Sequence, residues 1–250
     1  MEQLGKLWSA RAPEVRILPP PHNNPDMNLK EKVVVITGGT KGLGRALAEI
    51  FRERGAQVIV GANLIKDVED QGNILTVRAD VTNEADVVRL AEEVIKKFGR
   101  IDVWVNNAGI WLAHAPIEEM DMKRVHDMIE VNLFGTMYGS KAALIQMRKQ
   151  GSGTIVNILS TSALQGRAYS SGYGASKFAA MGFTKSLRKE VEGTDIKVLA
   201  IYPGGMRTNL FDEQRPEDYG EYMDPKEVAE KIVANLEGDN PQEELIIKRA

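Results

Sequence analysis

From Lys30 onward the chain alternates short Val/Ile-rich runs with longer amphipathic ones, and that alternation is what most narrows the folds open to it. The apolar runs fall at about 32–37, 57–61, 74–78, 101–106, 153–159, 196–202 and 244–248. Most of them lack the apolar–polar alternation of a half-buried strand, as befits strands covered on both faces. Helical periodicity occupies about 43–54, 84–98, 121–149, 172–192 and 225–237. Strands alternating with helices imply right-handed crossovers and a mostly parallel sheet. The expectation is an α/β fold: one doubly wound domain, with about seven strands flanked by helices. One crossover is short. Residues 62–73 barely hold a helix with its two loops, so a loop or a single turn is expected there.

The 250 residues show no repeat and no second composition regime, so one domain is expected over about 29–250. Ahead of it, residues 1–28 contain Pro13, Pro19, Pro20, Pro21 and Pro25. That composition resists helix and sheet alike and reads as a flexible leader, the alternative being an arm that packs on a neighbouring subunit. Without a cysteine, the chain has no disulfide, no thiolate metal site and no Cys nucleophile. Its net charge of −3 gives no reason to expect nucleic acid or an anionic membrane as partner. No apolar run approaches the ~18 residues of a membrane span, and there is no export-signal pattern. A cytoplasmic protein is therefore expected. His114 and His126 stand alone without metal-ligand spacing, so they read as surface residues and no metal is expected.

The first chemical signal lies where the first strand meets the first helix, in Thr37-Gly38-Gly39-Thr40-Lys41-Gly42-Leu43-Gly44. Glycine takes positive φ and lets a ligand approach the backbone. The helix that follows offers unpaired N–H groups to a diphosphate. The second signal is Tyr173-Gly174-Ala175-Ser176-Lys177, opening a long helix. Residues four apart share a helical face, so the phenol and the ammonium can enter one cleft. A cation beside a phenol stabilises phenolate and moves it towards useful acid–base chemistry. Ser160 sits just past the fifth strand, at the edge where ligands bind in an open parallel sheet.

With these motifs the chain resembles the short-chain dehydrogenase/reductase family over about residues 31–250, implying a Rossmann-type domain. The glycine turn has the family's T-G-x-x-x-G-x-G spacing, and Asn106-Asn107-Ala108-Gly109 is similar to its N-N-A-G. Asp80, followed by Val81, matches the acid that contacts adenine. Asn132, Ser160, Tyr173 and Lys177 match the catalytic tetrad. Pro203-Gly204 and Thr208 match the segment on the nicotinamide side.

The resemblance implies an oxidoreductase acting on a small carbonyl or secondary alcohol. Tyr173 would exchange the proton and Ser160 would hold the reacting oxygen. Lys177 would lower the Tyr pKa and hold ribose hydroxyls, while Asn132 would brace a water leading to solvent. It also implies cofactor contacts from Gly38, Thr40, Lys41, Gly42, Leu43, Gly44, Asn63, Asp80, Val81, Asn107, Ala108, Gly109, Pro203, Gly204 and Thr208. NADP(H) is favoured over NAD(H). Ala62 stands where NAD-selecting members carry an acid, and Lys41 resembles a base that pairs with a 2′-phosphate. Asn63, often Arg in NADP-dependent members, and the nearby Asp67 pull the other way. Substrate contacts are expected from Trp111, Thr161, Ser162, Leu164 and a possible lid at 205–222 bearing Phe211, Tyr219 and Tyr222. The chain lacks the glycine-rich tail of many acyl-carrier reductases after Ile247, which argues against that substrate. A homodimer or homotetramer through the helices carrying Asn132 and Tyr173 is expected. The competing reading is a catalytically silent nucleotide-binding regulatory protein of the same fold.

Overall fold

The Val-rich run at the start of the domain forms a fully buried strand, β1 (Val33–Thr37). Successive side chains point to opposite faces. Val34 and Ile36 enter one apolar layer, and Val33 and Val35 enter the other. Both layers are closed by helices, which is why the strand has no polar face. The computed structural model describes residues 28–63, 69–70 and 74–249.

The chain continues as α1 (Gly42–Glu53), β2 (Gln57–Ala62), β3 (Glu69–Asp70), β4 (Ile74–Arg78), α2 (Glu84–Phe98), β5 (Val103–Asn106), α3 (Met122–Ile129), α4 (Gly135–Gln150), β6 (Ser152–Ile158), α5 (Ser171–Glu190), β7 (Asp195–Pro203), α6 (Pro225–Glu237) and β8 (Glu244–Ile247). The sheet order is β3-β4-β2-β1-β5-β6-β7-β8. All pairs are parallel except β3 with β4. The seven expected strands are thus present and parallel. The order reverses between β1 and β5, so a crevice opens beyond their carboxyl ends. Helices α1 and α6 cover one face with Leu47, Phe51, Ile232 and Val233. Helices α2, α4 and α5 cover the other with Leu90, Met147 and Leu187.

One expectation needs correction. The crossover at 62–73 is not simply a loop or turn. It contains the two-residue strand β3, antiparallel to β4 with Asp70 opposite Leu75, which lengthens the sheet edge in a span too short for a helix. The rest of that crossover, with Asp67, lies outside the described residues, as does the leader over 1–27. The helical pattern at 121–149 is present as one continuous helical run, but it is not uniformly α-helical. A π turn at Glu130–Phe134 separates α3 from α4, and the Thr136 hydroxyl donates to the Asn132 carbonyl at 2.9 Å. No described helix is long and apolar enough to cross a membrane.

Candidate active site

A cleft of about 580 Å³ opens at the carboxyl ends of the central strands. Every residue assigned from the sequence to a catalytic or cofactor role lines it, except Asn132. The glycine turn forms one end. Gly38 and Gly42 have φ of +65° and +56°, a region that favours glycine. A Cβ on Gly44 would stand 2.4 Å from the Gly38 carbonyl oxygen and equally close to Asn107 Nδ2, so the helix can start here only from a bare Cα. Asn107 pins the turn to the end of β5, donating from Nδ2 to the Thr37 and Gly38 carbonyls at 3.0 Å each. Its amide is thereby engaged within the protein, although the residue still lines the cleft.

The helix behind this turn is left open. Helices α2, α3 and α6 are each capped by a side chain: Asn83, Asp121 and Asp224 accept from Ala85, Lys123 and Lys226 N–H at 3.0, 2.9 and 2.8 Å. Helix α1 starts at Lys41 with no side-chain cap and no acid in its first turn. Its free N–H groups and partial positive charge suit a diphosphate, and the glycine cradle leaves room for one. The residues present therefore fit a dinucleotide. At the far end Asp80 accepts from the Thr82 N–H and hydroxyl at 2.9 and 2.8 Å through Oδ1. Lys41 and Asn63 face the cleft on either side of the end of β2, where Ala62 leaves no carboxylate.

The other end carries the reactive side chains. Ser160 terminates the run after β6, and its Oγ accepts from the Ser162 N–H at 3.1 Å. Tyr173 and Lys177 lie one turn apart on α5, the lysine buried and the tyrosine half-buried. The Lys177 Nζ donates to the Ile158 carbonyl at 3.2 Å and sits 5.9 Å from the centre of the Tyr173 ring. Burial lowers Lys177 from 10.5 to about 8. Burial also pushes the Tyr173 phenol up to about 12, against the lowering effects of the Ser160 hydroxyl and the Arg167 charge. Desolvation outweighs both.

Asn132 stands behind the cleft wall, 1% exposed, in the π turn. Its Oδ1 accepts from the Ile110 N–H at 2.9 Å. Its Nδ2 donates to the Ile110 carbonyl at 2.9 Å and to Ser176 Oγ at 3.1 Å. A Cβ on Gly109 would meet both Asn132 Oδ1 at 3.2 Å and Lys177 Nζ at 3.7 Å, so the amide and the ammonium converge on that glycine.

Over the reactive end lies an edge-to-face aromatic group. The Trp111 ring is 5.1 Å from Phe211 and 5.4 Å from His114, and Phe211 is 5.5 Å from Tyr222. His114 is an exposed loop residue, as expected, and its ring also borders the cleft. The segment after Thr208 is tied down at both sides. Arg124 grips Glu213 with two bonds of 2.8 and 2.6 Å, and Arg249 reaches Asp218 and Glu221. Sequence reasoning missed Arg167 and Ser170 as cleft residues, while Glu213 falls within the expected 205–222 segment. The basic residue between Ser160 and Tyr173 was the one available signal.

Residues 32–219 match the family described as short chain dehydrogenase. The chain is 36% identical over 222 residues to an uncharacterised oxidoreductase of Staphylococcus saprophyticus, covering 84% of this chain and 93% of that one. Among solved structures it is similar to an alcohol dehydrogenase from Thermococcus sibiricus complexed with 5-hydroxy-NADP. That match has TM-score 0.79 and 27% identity, over 88% of this chain and 99% of that one. It is also similar to a 3-ketoacyl-(acyl-carrier-protein) reductase from Brucella melitensis complexed with NADH, with TM-score 0.77 and 26% identity, over 88% and 97%.

Proposed function

The chain belongs to the short-chain dehydrogenase/reductase family of oxidoreductases, and we propose that it transfers a hydride between NADP(H) and a small carbonyl compound or secondary alcohol. The observation that carries this reading is the convergence of Ser160, Tyr173 and Lys177 on the same cleft as the uncapped start of α1. The bound dinucleotide supplies or accepts the hydride. Ser160 holds the reacting oxygen by its hydroxyl, and Tyr173 hands that oxygen a proton in reduction or takes one from an alcohol in oxidation. Lys177, anchored on Ile158, is placed to hold the ribose hydroxyls and to pass protons towards Asn132. Asn132 acts as a positioning residue, because it fixes the Ile110 loop against α5.

Preference for the phosphorylated dinucleotide is supported by two features: the missing carboxylate at the end of β2, and Lys41, which forms no ion pair with any described residue. An acid there would bind the ribose 2′-hydroxyl and repel a 2′-phosphate. A homodimer through α4 and α5 is supported by the exposed apolar side chains Ile145 and Phe178, 50% and 39% accessible.

The test is Tyr173→Phe, assayed with NADPH and NADH on a panel of ketones and aldehydes. Turnover is expected to fall by about 10²–10⁴-fold while dinucleotide affinity holds. Undiminished turnover in the variant would refute the role of Tyr173. A wild type silent across the panel, yet binding the dinucleotide, would favour the regulatory alternative.

A further inference from the structure

Two helices open on the cleft without a side-chain cap: α1 at the diphosphate end and α5 at the reactive end. Helix α5 starts at Ser170 with no cap and no acid in its first turn. Ser170 is 6% exposed, lines the cleft, and its hydroxyl has no hydrogen-bond partner. That hydroxyl is open to the cleft and free to bond a ligand atom. Beside it, Arg167 also lines the cleft, and its guanidinium forms no ion pair or hydrogen bond with any described residue. Other cationic side chains near this end are engaged: Arg124 by Glu213, and Arg249 by Asp218 and Glu221. Glu213 is the acid in this part of the lining, and Arg124 holds it.

The loop that presents Arg167 is held under strain. Tyr169 has φ +60°, an uncommon conformation for a bulky side chain, and its carbonyl accepts from the Ala115 N–H at 3.0 Å. That bond clasps the loop to the segment carrying Trp111 and His114. The Ser170 N–H donates to the Arg167 carbonyl at 3.3 Å, closing a tight turn. The cation therefore stands on one wall of the reactive end and the aromatic group on another. Arg167 and Tyr173 line the same cleft.

We propose that the corner formed by Arg167, Ser170 and the first turn of α5 receives a carboxylate carried by the substrate, so that this enzyme reduces oxo acids and oxidises hydroxy acids. The inference rests on the hydride-transfer reading above and names the substrate class of the same site. Arg matches a carboxylate in shape and charge, and a hydroxyl donor completes the set. The carboxylate takes no part in the redox step. In reduction the carbonyl carbon gains the hydride and its oxygen gains the Tyr173 proton, giving the hydroxy acid and the oxidised dinucleotide. The rest of the substrate lies against Trp111 and Phe211.

The experiment compares kcat/KM for α-, β- and γ-oxo acids with that for their ethyl esters, in the wild type and in Arg167→Gln, Arg167→Lys and Ser170→Ala. The acid-over-ester ratio, not either rate, is the readout. The wild type is expected to prefer one acid class by about tenfold or more. Arg167→Gln should erase that preference, mainly through KM of the acid, and Arg167→Lys should restore part of it. Ser170→Ala should lower the ratio without reversing it. A ratio near one in the wild type, or one unchanged in Arg167→Gln, overturns the inference. Reduction of esters and neutral ketones without acid preference removes this inference alone. Failure of every carbonyl with both dinucleotides removes the hydride-transfer reading and this inference together.

Discussion

Replacing Lys177 with Met tests whether the fold bears a cost for placing an ammonium under the cleft. The lysine is 6% exposed, and burial lowers it from 10.5 to about 8. That difference corresponds to roughly 3 kcal/mol at neutral pH. In the unfolded chain the ammonium stays charged until about pH 10.4. Between about pH 8 and that value the unfolded state binds more protons, so folding becomes more favourable as pH rises. Below pH 8 the wild type carries the full cost, and above about pH 10.5 it carries none. Met has no charge, so its stability lacks this dependence. The substitution also removes the donor to the Ile158 carbonyl, a loss of about 1–3 kcal/mol that is similar across the window. The stability of Lys177→Met minus that of the wild type should therefore fall by roughly 2 kcal/mol between about pH 7.5 and pH 10, whatever its absolute value. Tyr173, whose folded pKa is raised, makes folding less favourable only above about pH 10, and it does so in both proteins. Urea unfolding at several pH values reads the difference directly. With a slope of about 2 kcal/mol per M, the two midpoints should shift relative to each other by about 1 M. Parallel pH profiles would refute the reasoning, because they would mean that the ammonium is as well solvated folded as unfolded.

Lys41→Ala should weaken NADPH binding about tenfold, ~1.4 kcal/mol, and leave NADH within about twofold; fluorescence titration decides, and equal losses would exclude a 2′-phosphate contact. Gly44→Ala should cost at least about 2 kcal/mol in urea unfolding and abolish dinucleotide binding, since its Cβ would meet the Gly38 carbonyl oxygen and Asn107 Nδ2. A variant that binds normally would show that the turn gives way easily. Glu213→Gln frees the segment after Thr208 from Arg124. It should shift kcat and KM together by about two- to fivefold in steady-state assays while dinucleotide affinity holds, if that segment closes over the substrate.

What the sequence made legible was local. A Val/Ile run without alternation announces a strand buried on both faces, and β1 is such a strand. The glycine turn and the Tyr173–Lys177 pair are each specified within a few residues, so their geometry follows from one turn and one helix face. The π turn at Asn132 could not be read that way. Residues 121–149 carry unbroken helical periodicity, and the widening becomes visible only where the Asn132 amide bridges both backbone groups of Ile110, 22 positions away. Such a single π turn inside a helix is often found at a functional site, and the apolar periodicity here did not announce it.

The same limit explains the two cleft residues that spacing did not reveal. Arg167 and Ser170 lie in a stretch that reads as an ordinary connection, and their importance comes from what does not contact them. Three helix starts in this fold have their own side-chain caps, whereas the two that border the cleft have none. An absent cap is invisible in a sequence, because serine at the start of α5 is itself a favoured cap residue. Only the fold shows that its hydroxyl goes unused while facing the cleft. Both ends of one cleft thus combine an uncapped helix start with an exposed, unpaired cation. They are accounted for if the occupant brings two anionic groups, a diphosphate against α1 and a carboxylate against α5. The acid-over-ester ratio measures the second, which a neutral ketone substrate would leave unexplained.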